Sequence, residues 1–210
     1  MEWGILWQFR GALASGLLVT IGVSVLGIIG STVLGVLVGC LGTLPSLLLR
    51  RLTGLYSEFL RNLPLIVKLF FLYSIVSLPA LWAAVAALIL HQSAYIADIT
   101  RSGIRSVASG QLDAALSLGH SYRQAFYYIV VPQTVRVMLP PMTTQYVSVI
   151  KNSSVTALIS IQDLTWQTQE INVETFRGFE AATATTVLYI IVATVVIAGM
   201  TRLQARLAVQ

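Results

Sequence analysis

The sequence predicts an all-α integral membrane protein, one domain over residues 1–210, with five transmembrane helices. Three observations predict it. The chain is 56% apolar and 10% charged, with a mean hydropathy of +0.81, whereas soluble domains carry roughly 25% charged residues. A chain of this size cannot hide so much apolar surface in a water-exposed core. Apolar runs of spanning length recur, and about 20 residues cross the hydrocarbon core. Finally, the 13 Lys and Arg residues, net charge +5, are scattered between apolar runs, singly apart from Arg50–Arg51. That scatter suits a membrane protein and not a nucleic-acid footprint.

The elements follow in order. The start, M-E-W-G-I-L-W-Q-F-R, has no basic n-region, so the first span is expected to insert and stay uncleaved. Residues 11–49 carry no charge, too long for one span and short for two. The Gly42–Pro45 punctuation ends the first helix near Leu41, and a short interfacial piece follows. Gly27, Ser31, Gly35 and Gly39 recur every four residues, a small-residue face that lets another backbone approach. The lone Cys40 lies in this run. It permits no internal disulfide and reads as a small buried thiol.

A second span covers about 59–77. Pro79 separates it from a third at 80–99. A polar stretch, 100–136, precedes a fourth span at 137–159. A polar loop, 160–180, leads to a fifth at 181–200. Arg and Lys set the orientation. Arg50, Arg51, Arg61, Arg101, Arg105, Arg123, Arg136, Arg202 and Arg206 fall on one side, against Arg10 and Arg177 on the other. The first side is therefore cytoplasmic, with the N-terminus outside and the C-terminus inside. Trp3, Trp7, Trp82 and Trp166 fall near outer span ends, as interfacial anchors do.

The polar stretch contains D-A-A-L-S-L-G-H-S-Y-R-Q-A-F-Y-Y-I-V-V-P, from Asp113 to Pro132. This run resembles the coupling loop of ATP-binding-cassette (ABC) importer permeases: E-A-A, three residues, G, nine residues, I-x-L-P. Asp113, Ala114, Ala115, Gly119, Ile129, Val131 and Pro132 hold those positions, with Asp for Glu and Val for Leu. R-N-L-P-L-I-V-K-L-F-F at Arg61–Phe71, S-A-Y-I-A-D-I-T-R-S-G-I at Ser93–Ile104 and K-N-S-S-V at Lys151–Val155 are similar to segments of polar amino-acid permeases. The likeness covers nearly the whole chain. The 164–171 and 175–181 segments look most like the glutamate/aspartate subgroup.

The resemblance implies the type I ABC importer permease fold, in a bacterial inner membrane. It implies a coupling-helix loop between helices 3 and 4, about 100–136. It also implies two ATP-binding subunits that hold ATP and Mg, a second permease subunit, homologous or identical, and a periplasmic or surface solute-binding protein. No cofactor is expected in this chain. Coupling falls to Asp113, Ala114, Ala115, Gly119, His120, Ser121, Tyr122, Arg123 and Pro132. Physical chemistry fits those roles. An acid near a helix start offsets the dipole, alanine permits close packing, and glycine turns where a Cβ resists.

Ionisable groups inside a bilayer cost several kcal/mol and usually face a cavity or a partner. Lys68 falls in the second span, where relatives commonly have Gln, and Lys151 in the fourth, with no acid at comparable depth. Two deep cations suit an acidic amino acid as substrate; the bland alternative is that each lysine snorkels or caps backbone carbonyls. Asn152, Ser153, His91 and Gln92 are the other candidates for a substrate pathway, against plain interhelical hydrogen bonding for His91, Gln92 and Ser93. Glu58–Arg61 and Asp98–Arg101 read as interfacial ion pairs.

Three other classes are less well served. An ion-coupled secondary transporter usually needs an intramembrane carboxylate. An enzyme needs a nucleophile–base or metal-ligand pattern, and Cys40, His91 and His120 offer neither, nor is there a G-x-x-x-x-G-K-[S/T] loop. No catalytic or metal-ligating residue is therefore assigned. A scaffold subunit would bind an ATPase through the same loop without altering selectivity.

Overall fold

The computed structural model describes residues 3–208, apart from the side chains of residues 108, 109 and 208. Met1 and Glu2, the start of the segment read as uncleaved, lie outside the described residues. All regular structure among the described residues is helical. A short α1 (Gly4–Gln8) leads into α2 (Arg10–Leu41), then α3 (Leu47–Asn62), α4 (Leu65–Phe70) and α5 (Ala80–Ser117). After α6 (Tyr122–Ala125) come α7 (Val131–Ser153), α8 (Leu164–Thr175) and α9 (Gly178–Ala208).

Three stretches are long and apolar enough to cross a membrane: Arg10–Leu41, Ala80–Val107 and Gly178–Leu207. The first ends at Leu41, where Gly42 and Thr43 close the helix with bonds to Val38 and Cys40. Its small-residue stripe is the seam with α5. A Cβ on Gly35 would sit 2.6 Å from Ile96 and 2.8 Å from the Ser93 carbonyl. One on Gly39 would meet Thr100 and the Ala97 carbonyl. Glycine there lets two backbones approach to a distance that no side chain permits. Cys40 departs from expectation. It is exposed on α2, one position beyond the buried stripe.

The second span also departs from expectation. Residues 59–77 are not one helix, because α3 stops at Asn62 and α4 starts at Leu65. Proline biases its predecessor away from helical geometry, and Leu63 accordingly sits at φ −87°, ψ 129°. The second piece, Leu65–Ile75, finishes as a π-helical turn and is about 16 Å long, half a bilayer core. The α3 piece turns Leu48, Leu52, Leu55 and Phe59 outward, and Thr53, Ser57 and Leu60 inward.

The third span runs on past Ile99, but Gly110 stands at φ 91°, outside helical geometry. Residues 111–117 close α5 beyond that glycine. The fourth span starts early, at Val131, and ends as a 3₁₀ turn, Ser154–Ile159. It carries Pro140 and Pro141 inside the helix, each of which removes a backbone donor. The loop read at 160–180 contains α8, packed on α2 and α9.

Candidate functional site

Two groups of residues carry the chemistry. The first is the hairpin between the closing piece of α5 and α6. Its turn is capped from both sides. The Gly119 N–H donates to the Leu116 carbonyl at 3.0 Å and the His120 N–H to the Ala115 carbonyl at 3.2 Å. This is a Schellman stop, whose pivot must be left-handed, and Gly119 has φ 86°. Two residues on, the Ser121 Oγ accepts from the Gln124 N–H, and the Gln124 side chain accepts from the Ser121 N–H. That capping box starts the next helix.

Ala115 and Ala125 are buried, while Asp113, Ala114, Gly119, His120, Ser121, Tyr122 and Arg123 are exposed. Around them Leu118 is 83% and Tyr128 79% exposed. Exposed apolar groups rimmed by polar ones mark contact surfaces. Pro132 sits in the first turn of α7, directly after a π-helical stretch, Phe126–Val130. A wide turn before a proline accommodates the donor it lacks.

The second group lines the seam of α3 and α4 with α5. Lys68 is 5% exposed, and its Nζ donates to the Leu60 carbonyl at 2.6 Å and the Leu63 carbonyl at 3.0 Å. It also lies 2.8 Å from His91 Nδ1. An ammonium has three donors; two carbonyls take two of them, and His91 takes the third in the tautomer that leaves Nδ1 unprotonated. The chemistry follows from Pro64. A helix would pair the Leu60 carbonyl with the N–H of residue 64, and proline has none. Lys68 replaces the missing donor. These contacts are the ones the carbonyl-capping alternative requires, and Lys68 also lines a cavity with Phe59, Leu60, Leu63, Val67 and Phe71.

The neighbours of His91 tie α5 to other helices. The Gln92 amide donates to Gln145 Oε1 on α7. Ser93 shares a 2.7 Å hydrogen bond with Tyr56 on α3. Below them His91 packs edge-on to Tyr95, and the Arg61 guanidinium lies 5.3 Å from the Tyr95 ring. Arg61 pairs with Asp98, not with Glu58 as read from the sequence. Arg61 lies on α3 where that helix packs against α5, and it meets a carboxylate across the seam that one-turn spacing does not reveal. Asp98–Arg101 does form, at 3.7 Å. Glu58, Arg61, Asn62, Tyr95, Asp98 and Arg101 help line a polar cleft of about 520 Å³.

Lys151, Asn152 and Ser153 lie at the far end of α7. Lys151 is exposed, and the Ser153 Oγ donates to the Ile150 carbonyl. No hydrogen bond joins them to Lys68 or His91 among the described residues.

Sequence reasoning passed over Gln145, Tyr56 and Asp163. The first two lie on helix faces that periodicity alone does not orient. Asp163 lies in the stretch read as a polar loop, yet it is fully buried. Its carboxylate caps α8 through the Trp166 N–H at 2.8 Å and accepts from the Tyr189 hydroxyl at 3.3 Å. Burial pushes its carboxyl up to about 6, against the weaker pull of those hydrogen bonds. A carboxyl raised in the folded state adds stability below its unfolded value near 4, and loses it as pH rises through about 6. The melting temperature in detergent should therefore fall from pH 5 to pH 7.5. Asp163→Asn keeps the cap and should flatten the profile, by on the order of 2 kcal/mol. Parallel wild-type and variant profiles would count against it.

With this geometry in hand, the relatives are informative. The chain is 32% identical to the glutamine transport system permease protein GlnP of Escherichia coli, over 99% of this chain and 98% of that protein. It is 29% identical to the glutamate/aspartate import permease protein GltJ of the same species, over 98% and 94%. Among solved structures it is similar to an amino acid ABC transporter crystallised with histidines, with TM-score 0.91 and 26% identity over 98% of this chain and 99% of that one. Residues 31–209 match the family of binding-protein-dependent transport system inner membrane components, and this chain belongs to that family.

Proposed function

We propose that this chain is the permease subunit of an ABC importer for polar amino acids, with glutamine ahead of glutamate and aspartate. Full-length similarity to amino-acid permeases supports the importer class. One observation carries the order of substrates. The cation that favoured an acidic substrate, Lys68, is buried and surrounded by the Leu60 and Leu63 carbonyls and His91. Those contacts support a role in closing the helix break over one in holding an acidic substrate. The likeness of the 164–171 and 175–181 segments to the glutamate/aspartate subgroup is what still favours an acidic substrate.

The working unit in this reading holds two such permeases, identical or related, two ATP-binding subunits that carry ATP and Mg, and an external solute-binding protein. Five segments cross the inner membrane, α4 with its π turn forming the outer part of the second, with the N-terminus outside. The hairpin at Gly119 then faces the cytoplasm and docks on an ATP-binding subunit. ATP-driven closure draws two hairpins together and tips the permeases between two rigid-body states. The polar cleft at Arg61, Asp98 and Arg101 opens toward the same side. Its paired charges match the carboxylate and ammonium of a zwitterion.

The test is ATP-driven uptake in proteoliposomes that contain the whole assembly. Labelled glutamine should be taken up, with unlabelled glutamine the strongest competitor. Uptake of glutamate inhibited by aspartate alone would restore the acidic order. Dependence on a sodium or proton gradient in place of ATP would remove the ABC reading.

A further inference from the structure

At the opposite end from the hairpin, α1 folds over the start of α9 and leaves a groove between α2 and α9. Its volume is about 510 Å³, and its walls include Leu13, Ala14 and Leu17 from α2 and Ala184, Val187 and Leu188 from α9. The small side chains Ala14 and Ala184 make it a slot. Arg10 lines it at the start of α2. The Arg10 guanidinium lies 4.5 Å from the Trp7 ring and donates one N–H to the Trp7 carbonyl at 2.8 Å. No carboxylate pairs with it among the described residues. Trp7 is exposed beside it, and Trp3 packs edge-on against Phe179.

These features have one consistent physical meaning. Tryptophan settles at the headgroup level of a bilayer, so Trp3 and Trp7 fix the mouth of the groove at the interface. From that mouth the slot descends from Arg10 to Leu17, about 10 Å along the helix, into the hydrocarbon. An apolar slot at that depth faces acyl chains. A guanidinium with free donors at its mouth matches phosphate in a forked geometry. We infer that the groove seats an acyl chain of an anionic phospholipid whose headgroup phosphate is bound by Arg10. The lipid joins the first and last long helices, which touch little directly. The inference rests on the chain spanning a membrane and is independent of the transported substrate.

Tryptophan quenching tests it. The assembled transporter, with Trp82→Phe and Trp166→Phe in this chain and the other subunits free of tryptophan, is reconstituted in vesicles of phosphatidylcholine. Increasing fractions of brominated phosphatidylglycerol, or of brominated phosphatidylcholine, are then added. Brominated phosphatidylglycerol should quench Trp3 and Trp7 at roughly fivefold lower mole fraction, the preference that about one basic contact supplies. Arg10→Gln should bring the two lipids together. Val187→Phe, in a half-exposed wall position, should fill the slot and abolish the preference with Arg10 intact, read from Trp3 and Trp7. Equal quenching by both lipids in the unsubstituted groove overturns the inference. So does absence of quenching, which would mean that a second permease subunit covers the groove.

Discussion

Valine at position 119 is expected to abolish ATP-driven uptake while the transporter still inserts and the external binding protein still holds its ligand. The effect follows from one angle. Gly119 is at φ 86°, and a Cβ in the left-handed region costs about 1–2 kcal/mol, more for a β-branched residue. That penalty depopulates the turn by roughly tenfold or more. Space is not the problem, since a Cβ there would meet nothing within 4 Å. With the turn lost, the His120 and Gly119 N–H groups no longer close the helix, and Ser121 no longer starts the next one. The exposed patch of Leu118, Tyr122 and Tyr128 then has no fixed shape to present. Gly119→Asn is the control, because asparagine enters this region more readily, and it should retain much of the activity. Measured together, uptake and ATP hydrolysis separate the outcomes. The valine variant should show uncoupled hydrolysis or lose the ATP-binding subunit on purification. Normal uptake by an assembled valine variant would remove the hairpin from the mechanism.

The second large effect is expected at Lys68. Leucine there leaves the Leu60 and Leu63 carbonyls without their donor inside the membrane, where water cannot replace it. Each unpaired carbonyl costs about 1–3 kcal/mol. The leucine variant should therefore melt well below the wild type in detergent, or fail to accumulate. Gln carries two amide donors and should restore most of the stability without changing the order in which amino acids compete. Two results would overturn this account. A leucine variant as stable as the wild type would remove the cap. A glutamine variant that loses glutamate and aspartate uptake selectively would return Lys68 to the substrate.

The same residue shows where local sequence is ambiguous. A lysine in an apolar run signals that something unusual surrounds it, and the two roles, substrate contact or carbonyl cap, were both open. The decisive fact is four residues away. Pro64 orphans the Leu60 carbonyl, and Lys68 is placed one turn further on to reach back. The R-N-L-P run holds the helix breaker, but a proline by itself does not show which donor replaces the N–H it lacks. Arg61 is similar. Spacing of three made Glu58 its natural partner, but packing of α3 on α5 brings Asp98 to Arg61 across the helix seam.

Sequence alone determined the class of the protein, the end of α2 at Leu41, the small-residue face of α2 and the glycine turn at 119. Each is a local or compositional property. Excess apolar area has no soluble solution, glycine spacing defines a face whatever packs on it, and a left-handed turn is written by the one residue that tolerates it. Tertiary structure decided the partners. It set Gln92 against Gln145, Ser93 against Tyr56 and Arg61 against Asp98, buried Asp163 against Tyr189, and opened the slot between α2 and α9. Those pairings join residues far apart in the chain, and in an apolar sequence nearly every helix face is hydrophobic. Periodicity then says little about which face turns inward, and only packing, which must satisfy each buried polar group at once, selects the answer.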